Sequence, residues 1–288
     1  LRNAEGRGAV RGAKGPVRSG PQNRYSSPRA AYIAGGGAAR KAIVTKMTEI
    51  YLIRHGETEN NRLYKFVGST DQPLNDRGMA QARSLTEPMS HVALDRIWSS
   101  PYKRTMMTAE CVRGGRDIPL LTDRGLCEIH CGKWEGLGKE EIEARWPGQI
   151  DLWEHKPDLL HMEDGETFLE VQDRAVESFC RIAREEDGKK IAVVSHMLTI
   201  QLIMAKLLNV PIRDVWQMVR LENTSITTMH VHPDGHFSVE RWADDSHLPE
   251  ELKNPNVKIA GIHNTSFTAK YTVADVEGAH YFEGFRAL

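Results

Sequence analysis

Ile50-Tyr51-Leu52-Ile53-Arg54-His55-Gly56-Glu57 decides how this chain is read, because four apolar residues give way without a spacer to a cation, an imidazole and a turn residue. A run of that length and composition is the signature of a strand buried on both faces of a parallel sheet. In open α/β sheets ligands bind beyond the carboxyl ends of such strands, so Arg54 and His55 are expected to project into a crevice. Ile191-Ala192-Val193-Val194-Ser195-His196 repeats the pattern. Two buried strands each deliver a histidine at the carboxyl end.

Around these strands the periodicity alternates. Met79, Ala82, Leu85 and Met89 share one helical face, with Asn75 or Asp76 as the cap. Arg96-Ile97-Trp98 reads as a strand ended by Ser99-Ser100-Pro101, and Pro101 suits the first turn of a helix continued by Thr105, Ala109 and Val112. Residues 118–121 read as a third strand, and 137–146 and 166–186 as helices. Residues 225–231 and 237–242 form a closing hairpin through Pro233-Asp234-Gly235. This alternation predicts a three-layer α/β/α sandwich with a mostly parallel central sheet.

At 288 residues the chain holds one large α/β domain with appendages. Residues 1–46 carry ten Lys or Arg and one acid, a net of +9, which leaves −10 on the rest of a chain whose net charge is −1. This Gly/Ala/Arg-rich segment has no periodicity before Ile43 and is expected to be disordered. Its basic, Ser-containing character also fits a transit peptide or a nucleic-acid-binding arm. Met47, immediately before the first strand, favours an appended or mis-started leader, so nucleic acid is not an expected partner. The domain is then 47–242. A polar exit at Ala243-Asp244-Asp245-Ser246 opens a C-terminal extension, 243–288, with strand-like pieces at 257–262 and 267–273. That extension can add to the sheet, cover the pocket or mediate homodimerisation. No apolar run approaches the ~18 residues of a membrane span, and four sparse cysteines fit a reduced, cytoplasmic protein.

Arg54, His55, Asn61, Arg104, Glu128 and His196 fall at strand ends or helix starts. Two planar guanidinium groups suit a dianionic phosphate, to which each can donate parallel hydrogen bonds. Of two histidines, one can act as nucleophile and the other stabilise charge, while a carboxyl group supplies a proton. These are the parts of a metal-free phosphoryl transfer through a phosphohistidine, and no cofactor or metal is expected. Cys127, His130 and Cys131 lack a second pair at zinc spacing, and His230, His232 and His236 read as solvated hairpin histidines. Gly35-Gly36-Gly37 lacks the Gly-Lys-Ser/Thr of a nucleotide loop.

Six blocks carry a resemblance: Arg54-His55-Gly56-Glu57-Thr58-x-x-Asn61; Gly68-x-Thr70-Asp71-x-Pro73-Leu74 continuing to Gly78 and Gln81-Ala82; Ser99-Ser100-Pro101-x-x-Arg104-Thr105-x-x-Thr108-Ala109; Leu126-x-Glu128 continuing to Gly132-x-Trp134-Glu135-Gly136; Gly165-Glu166; and Val194-Ser195-His196. In this order they strongly resemble the histidine phosphatase superfamily, in the branch that includes cofactor-dependent phosphoglycerate mutase. The resemblance implies that His55 is the nucleophile and that Gly56 leaves its approach unobstructed. Glu57 is the expected partner that fixes the other ring nitrogen of His55. Arg54, Arg104 and His196 are implied to line the phosphate pocket, Asn61 to add a neutral donor, and Glu128 to protonate the leaving oxygen.

His196 follows Glu128 by only 68 positions, with no Arg-Arg pair and no run of prolines between them, so the substrate-enclosing insert of the mutases is missing. The Gly132-Lys133-Trp134-Glu135-Gly136 block also looks more like the phosphatases, although His130 follows Glu128 as in the mutases. The expected function is a metal-independent phosphomonoesterase acting on a small phosphorylated metabolite. Phosphoglycerate mutase is the alternative among enzymes, and a non-catalytic phospho-ligand-binding or regulatory module the alternative outside them. Met197 stands where the family usually has a small residue and either narrows the pocket or turns into the core. Residues 147–164, with His155, Lys156 and His161, lie where a substrate lid is expected.

Overall fold

The structure, a computed structural model, describes residues 46–254 and 280–281. Its strands are β1 (Thr48–Arg54), β2 (Arg96–Ser99), β3 (Leu120–Thr122), β4 (Lys190–Ser195), β5 (Ile226–Val231), β6 (His236–Asp244) and β7 (His280–Tyr281). The helices are α1 (Glu59–Arg62), α2 (Asp76–Ser84), α3 (Thr86–Ser90), α4 (Lys103–Arg113), α5 (Lys139–Arg145), α6 (Gln149–His155), α7 (Phe168–Glu185) and α8 (Met197–Leu207).

Successive side chains of β1 enter opposite apolar clusters: Ile50 and Leu52 join one, Ile53 the other. β4 does the same, with Ile191 and Val193 on one side and Ala192 and Val194 on the other. Strand alternation therefore turns each continuous apolar run into an element that helices must cover on both faces. Met89 of α3 and Ala109 and Val112 of α4 supply one cover, joined by Leu85. Val171, Ala175, Phe179 and Ile182 of α7, with Leu198, Leu202 and Met204 of α8, supply the other. Each such side chain, fully buried, contributes about 1.5–3 kcal/mol. The result is the three-layer α/β/α arrangement.

The sheet order is β3-β2-β4-β1-β5-β6-β7. β3, β2, β4 and β1 run parallel, and the expected hairpin, β5 with β6, closes antiparallel against β1. In the β1–β4 register Arg54 lies opposite Ser195, which places His55 and His196 next to one another in space although 141 positions separate them in sequence. Two-residue β7 pairs with β6, so this part of the extension adds to the sheet. The other strand-like pieces of the extension lie outside the described residues.

Several elements differ from the sequence expectation. The helix after Asn75 breaks at Leu85, because Pro88 has no N–H for the Ser84 carbonyl four residues back. Asn75, not Asp76, is the cap, accepting from the Gly78 amide at 2.7 Å. Pro101 precedes the cap residue Tyr102 rather than entering the first turn of α4. The third strand is shifted to 120–122, while Ile118 is buried in the core outside it. α1 and α6 were not expected from the sequence. Among the described residues no helix is long and apolar enough to cross a membrane.

Candidate active site

The crevice forms where β1 and β4 end. His55 is 4% exposed, and its backbone N–H donates to the Ser195 carbonyl at 3.0 Å. Its Nδ1 lies 2.6 Å from the Gly56 carbonyl. A carbonyl only accepts, so Nδ1 carries the proton and Nε2 keeps a lone pair. His196, fully buried, meets the His55 ring edge-on with centroids 5.0 Å apart. Its Nδ1 accepts from Arg104 Nε at 3.2 Å, which places its proton on Nε2, 2.9 Å from Ser100 Oγ. Burial, reinforced by the Arg104 and Arg54 charges, holds both imidazoles well below the ordinary histidine range. Both rings are neutral.

Arg104 comes from the first turn of α4 and is 1% exposed. Beyond His196 it donates to the Thr70 and Gly68 carbonyls at 2.9 and 2.8 Å. Arg54, at the end of β1, donates Nη1 to the Leu221 carbonyl at 2.6 Å, while its buried Nε has no partner. Burial lowers its guanidinium to about 10. The crevice thus holds two buried cations beside two neutral imidazoles.

Glu128 sits at the N-terminus of α8. Its Oε1 accepts from the Ile129 amide at 3.0 Å and Oε2 from the Leu198 amide at 3.2 Å, while Thr199 Oγ1, 3.1 Å from Oε1, gives its single proton to the Cys127 carbonyl at 2.8 Å. Asn61 caps α1: Oδ1 accepts from the Thr58 amide at 3.2 Å, so only its Nδ2 can serve a ligand.

Two assignments of the sequence reading need correction. Glu57 does not orient the His55 ring; its carboxylate accepts from Asn75 Nδ2 at 2.9 Å and Arg77 Nη1 at 3.4 Å. The Gly56 carbonyl takes that role. Nor is Gly56 required chiefly to clear the nucleophile's path, since a Cβ there would stand 2.5 Å from the Gly78 carbonyl of α2. Met197 is half-buried and packs on the core. Trp153 of α6 inserts among Phe66, Trp134, Phe168 and Trp216, so edge-to-face and tilted ring contacts anchor the 147–164 excursion, and His155 pairs with Asp151 on its own helix.

Sequence reasoning missed the supports of these groups. Glu135 accepts from the amides of Gly68 and Ser69 and from both Ser69 and Thr70 hydroxyls, fixing the loop whose carbonyls hold Arg104. Burial pushes its carboxyl up, but these donors outweigh it and the net shift is downward. Gly68 is obligatory there, since a Cβ would overlap the Ile129 carbonyl at 1.6 Å. Arg174 of α7 donates to the carbonyls of Gly125, Cys127 and Glu128 at 2.8–3.1 Å, and Glu166 holds it. Asn223 donates Nδ2 to the His55 carbonyl at 2.9 Å. The Glu222-Asn223-Thr224-Ser225 cluster ahead of a strand was the available signal.

Fold and site together define a phosphoric monoester hydrolase. The chain belongs to the histidine phosphatase superfamily (branch 1), whose family model matches residues 50–245. It is 28% identical over 185 residues to phosphoserine phosphatase 1 of Hydrogenobacter thermophilus, covering 64% of this chain and 87% of that protein. Phosphoglycerate mutase-like protein 4 of Arabidopsis thaliana is 29% identical over 206 residues, 70% of this chain and 87% of that protein. The solved structure of YhfR from Bacillus stearothermophilus superposes with a TM-score of 0.67 at 36% identity, covering 69% of this chain and 98% of that one.

Proposed function

We propose that the chain is a metal-independent phosphomonoesterase of the reduced cytoplasm, which hydrolyses a small phosphorylated metabolite through a phosphohistidine on His55. The observation that carries this reading is the His55 tautomer: Nδ1 is spent on the Gly56 carbonyl, leaving the Nε2 lone pair of a buried ring on which the Arg54 and Arg104 charges act. Nε2 attacks phosphorus in line as the bond to the leaving oxygen breaks. Arg54 and Arg104 meet the charge on the transferring oxygens, His196 shares with one of them the Nε2 proton that it gives to Ser100 Oγ, and Asn61 Nδ2 adds a neutral donor. Phosphate-monoester hydrolysis is among the slowest uncatalysed reactions, with accelerations up to ~10²¹ known, so such fixed charges have much to supply.

Glu128 delivers the proton to the leaving oxygen. Each oxygen of its carboxylate accepts one backbone amide, so each keeps a lone pair for a proton. In the second half-reaction Glu128 takes a proton from water, whose oxygen attacks the phosphohistidine; phosphate leaves and His55 Nε2 regains its lone pair. The short span from Glu128 to His196 and the phosphatase names of relatives support hydrolysis over isomerisation.

The test is to incubate the protein with O-phosphoserine and with 3-phosphoglycerate, following free phosphate and acid-labile, base-stable phosphate on the chain. Phosphate release with label on His55 is expected. Conversion of 3-phosphoglycerate to its isomer without phosphate release would replace the phosphatase with a mutase, and turnover without any phosphoenzyme would remove the covalent mechanism.

A further inference from the structure

The Arg54–Glu57 turn is clamped from two sides. On one, residues 221–225 hold it: Leu221 accepts from the Arg54 guanidinium, Asn223 donates to the His55 carbonyl, and the Thr224 amide donates to the Arg54 carbonyl at 3.1 Å. Thr224 adopts a φ of +64°, costly for a β-branched residue, in a segment held at both ends by this turn. On the other side, Gln81 Oε1 accepts from the Glu57 amide at 2.9 Å, and Arg77 reaches the Glu57 carboxylate.

Residues 252–254, past the end of the family match, join the two clamps. Gln81 Nε2 and Arg77 Nη2 donate to the Leu252 carbonyl at 2.8 and 3.1 Å, and Arg77 Nη2 to the Lys253 carbonyl at 2.6 Å. The Asn254 amide then donates at 3.3 Å to Oε2 of Glu222, whose Oε1 accepts from the Asn223 amide at 2.9 Å. Glu222 is 1% exposed, and of the charges acting on the Arg54 guanidinium its carboxylate is the strongest of opposite sign. A buried carboxylate whose donors come from fixed backbone amides is a rigid counter-charge.

We propose that residues 252–254 are a tie bar of the phosphate site: by holding Glu222, a positioning residue, they brace the 221–225 segment whose Leu221 carbonyl fixes the Arg54 guanidinium where it receives the substrate's phosphoryl oxygens. This rests on the phosphatase reading, because it is phosphate that Arg54 is positioned to bind. The extension thereby belongs, in its first residues, to the machinery of the domain it follows.

The test is calorimetric titration of inorganic phosphate into the full chain and its variants, beside steady-state hydrolysis of O-phosphoserine. Glu222→Gln keeps the shape and removes the charge; phosphate binding is expected to weaken about tenfold and KM to rise more than kcat falls. Glu222→Asp should recover part of the loss. Asn254→Pro deletes the amide donor together with the side chain, and Lys253, at φ −76° and ψ 143°, already has the backbone that precedes a proline. Asn254→Ala removes the same side chain and keeps the N–H, and Asn254→Pro should bind phosphate about threefold more weakly than Asn254→Ala. The Asn254 pair decides the matter if Glu222→Gln does not fold. Equal phosphate binding by Asn254→Pro and Asn254→Ala, or by Glu222→Gln and the unaltered chain, overturns the tie bar alone. No phosphate binding by the unaltered chain overturns the phosphatase reading and the tie bar with it.

Discussion

β1 and β4 end alike, each with four apolar residues, one polar residue and a histidine, and they lie side by side in the sheet. Yet their imidazoles are opposite tautomers. His55 gives its Nδ1 proton to a main-chain carbonyl and keeps Nε2 open, whereas His196 accepts from Arg104 at Nδ1 and donates at Nε2. One histidine is left with a lone pair, the other with both nitrogens engaged. Identical local sequence patterns thus acquire different chemistry from the partner that approaches Nδ1.

The largest expected effect tests that asymmetry. His55→Ala should lower turnover by at least about 10⁴-fold and leave no phosphoenzyme, because the nucleophile is gone. His196→Ala removes a stabilising donor and should cost about 10²–10³-fold, with phosphate still trapped on His55. Rapid-quench labelling of both variants separates them; phosphate found on His196 would reverse the assignment.

Next comes the group that sets the His196 tautomer. Glu135→Ala frees the loop that presents the Gly68 and Thr70 carbonyls to Arg104, and kcat/KM should fall about 10–100-fold with modest loss of stability. If Arg104 is held by α4 alone, steady-state kinetics will show no change. Glu57→Gln is expected to cost less than about tenfold in kcat, because Glu57 touches Asn75 and Arg77 rather than the His55 ring. A loss as large as that of His55→Ala would restore Glu57 as the ring's orienting partner.

The smallest effect is on stability. Both histidines have depressed folded-state values against 6.5 when unfolded, so below about pH 6.5 the unfolded chain binds protons that the folded chain refuses. Their contribution to stability is complete above that pH and is lost as pH falls, by up to about 1.4 kcal/mol per histidine per pH unit. Urea unfolding between pH 7 and pH 5 should show this slope, and His55→Phe should reduce it; an unchanged slope would mean that His55 titrates normally in the fold.

Much of this was legible in the sequence. Four-residue apolar runs announced β1 and β4, and Arg54, His55, Arg104 and His196 could be collected because each lies at the end of an element with its own periodicity. The role given to Glu57 failed because the real partner of His55 is a main-chain carbonyl, and a carbonyl leaves no mark on residue type. Glu135, Arg174 and Glu222 stayed hidden for a related reason: they act on backbone groups far away in sequence, as Glu135 does on residues 68–70. α6 escaped notice because only packing of Trp153 among other rings accounts for where it sits. Pro88, by contrast, was visible and its consequence for α2 simply not drawn.

The bonds from Arg54 to Leu221 and from Asn223 to His55 join positions 167 and 168 residues apart. During synthesis both histidines are added to the chain before the residues that brace the first of them. A nascent chain ending before residue 221 holds every group of the reaction and lacks the frame that aims it. The site is thus expected to become competent only when residues 221–225 have closed on β1, after both histidines are already in the chain.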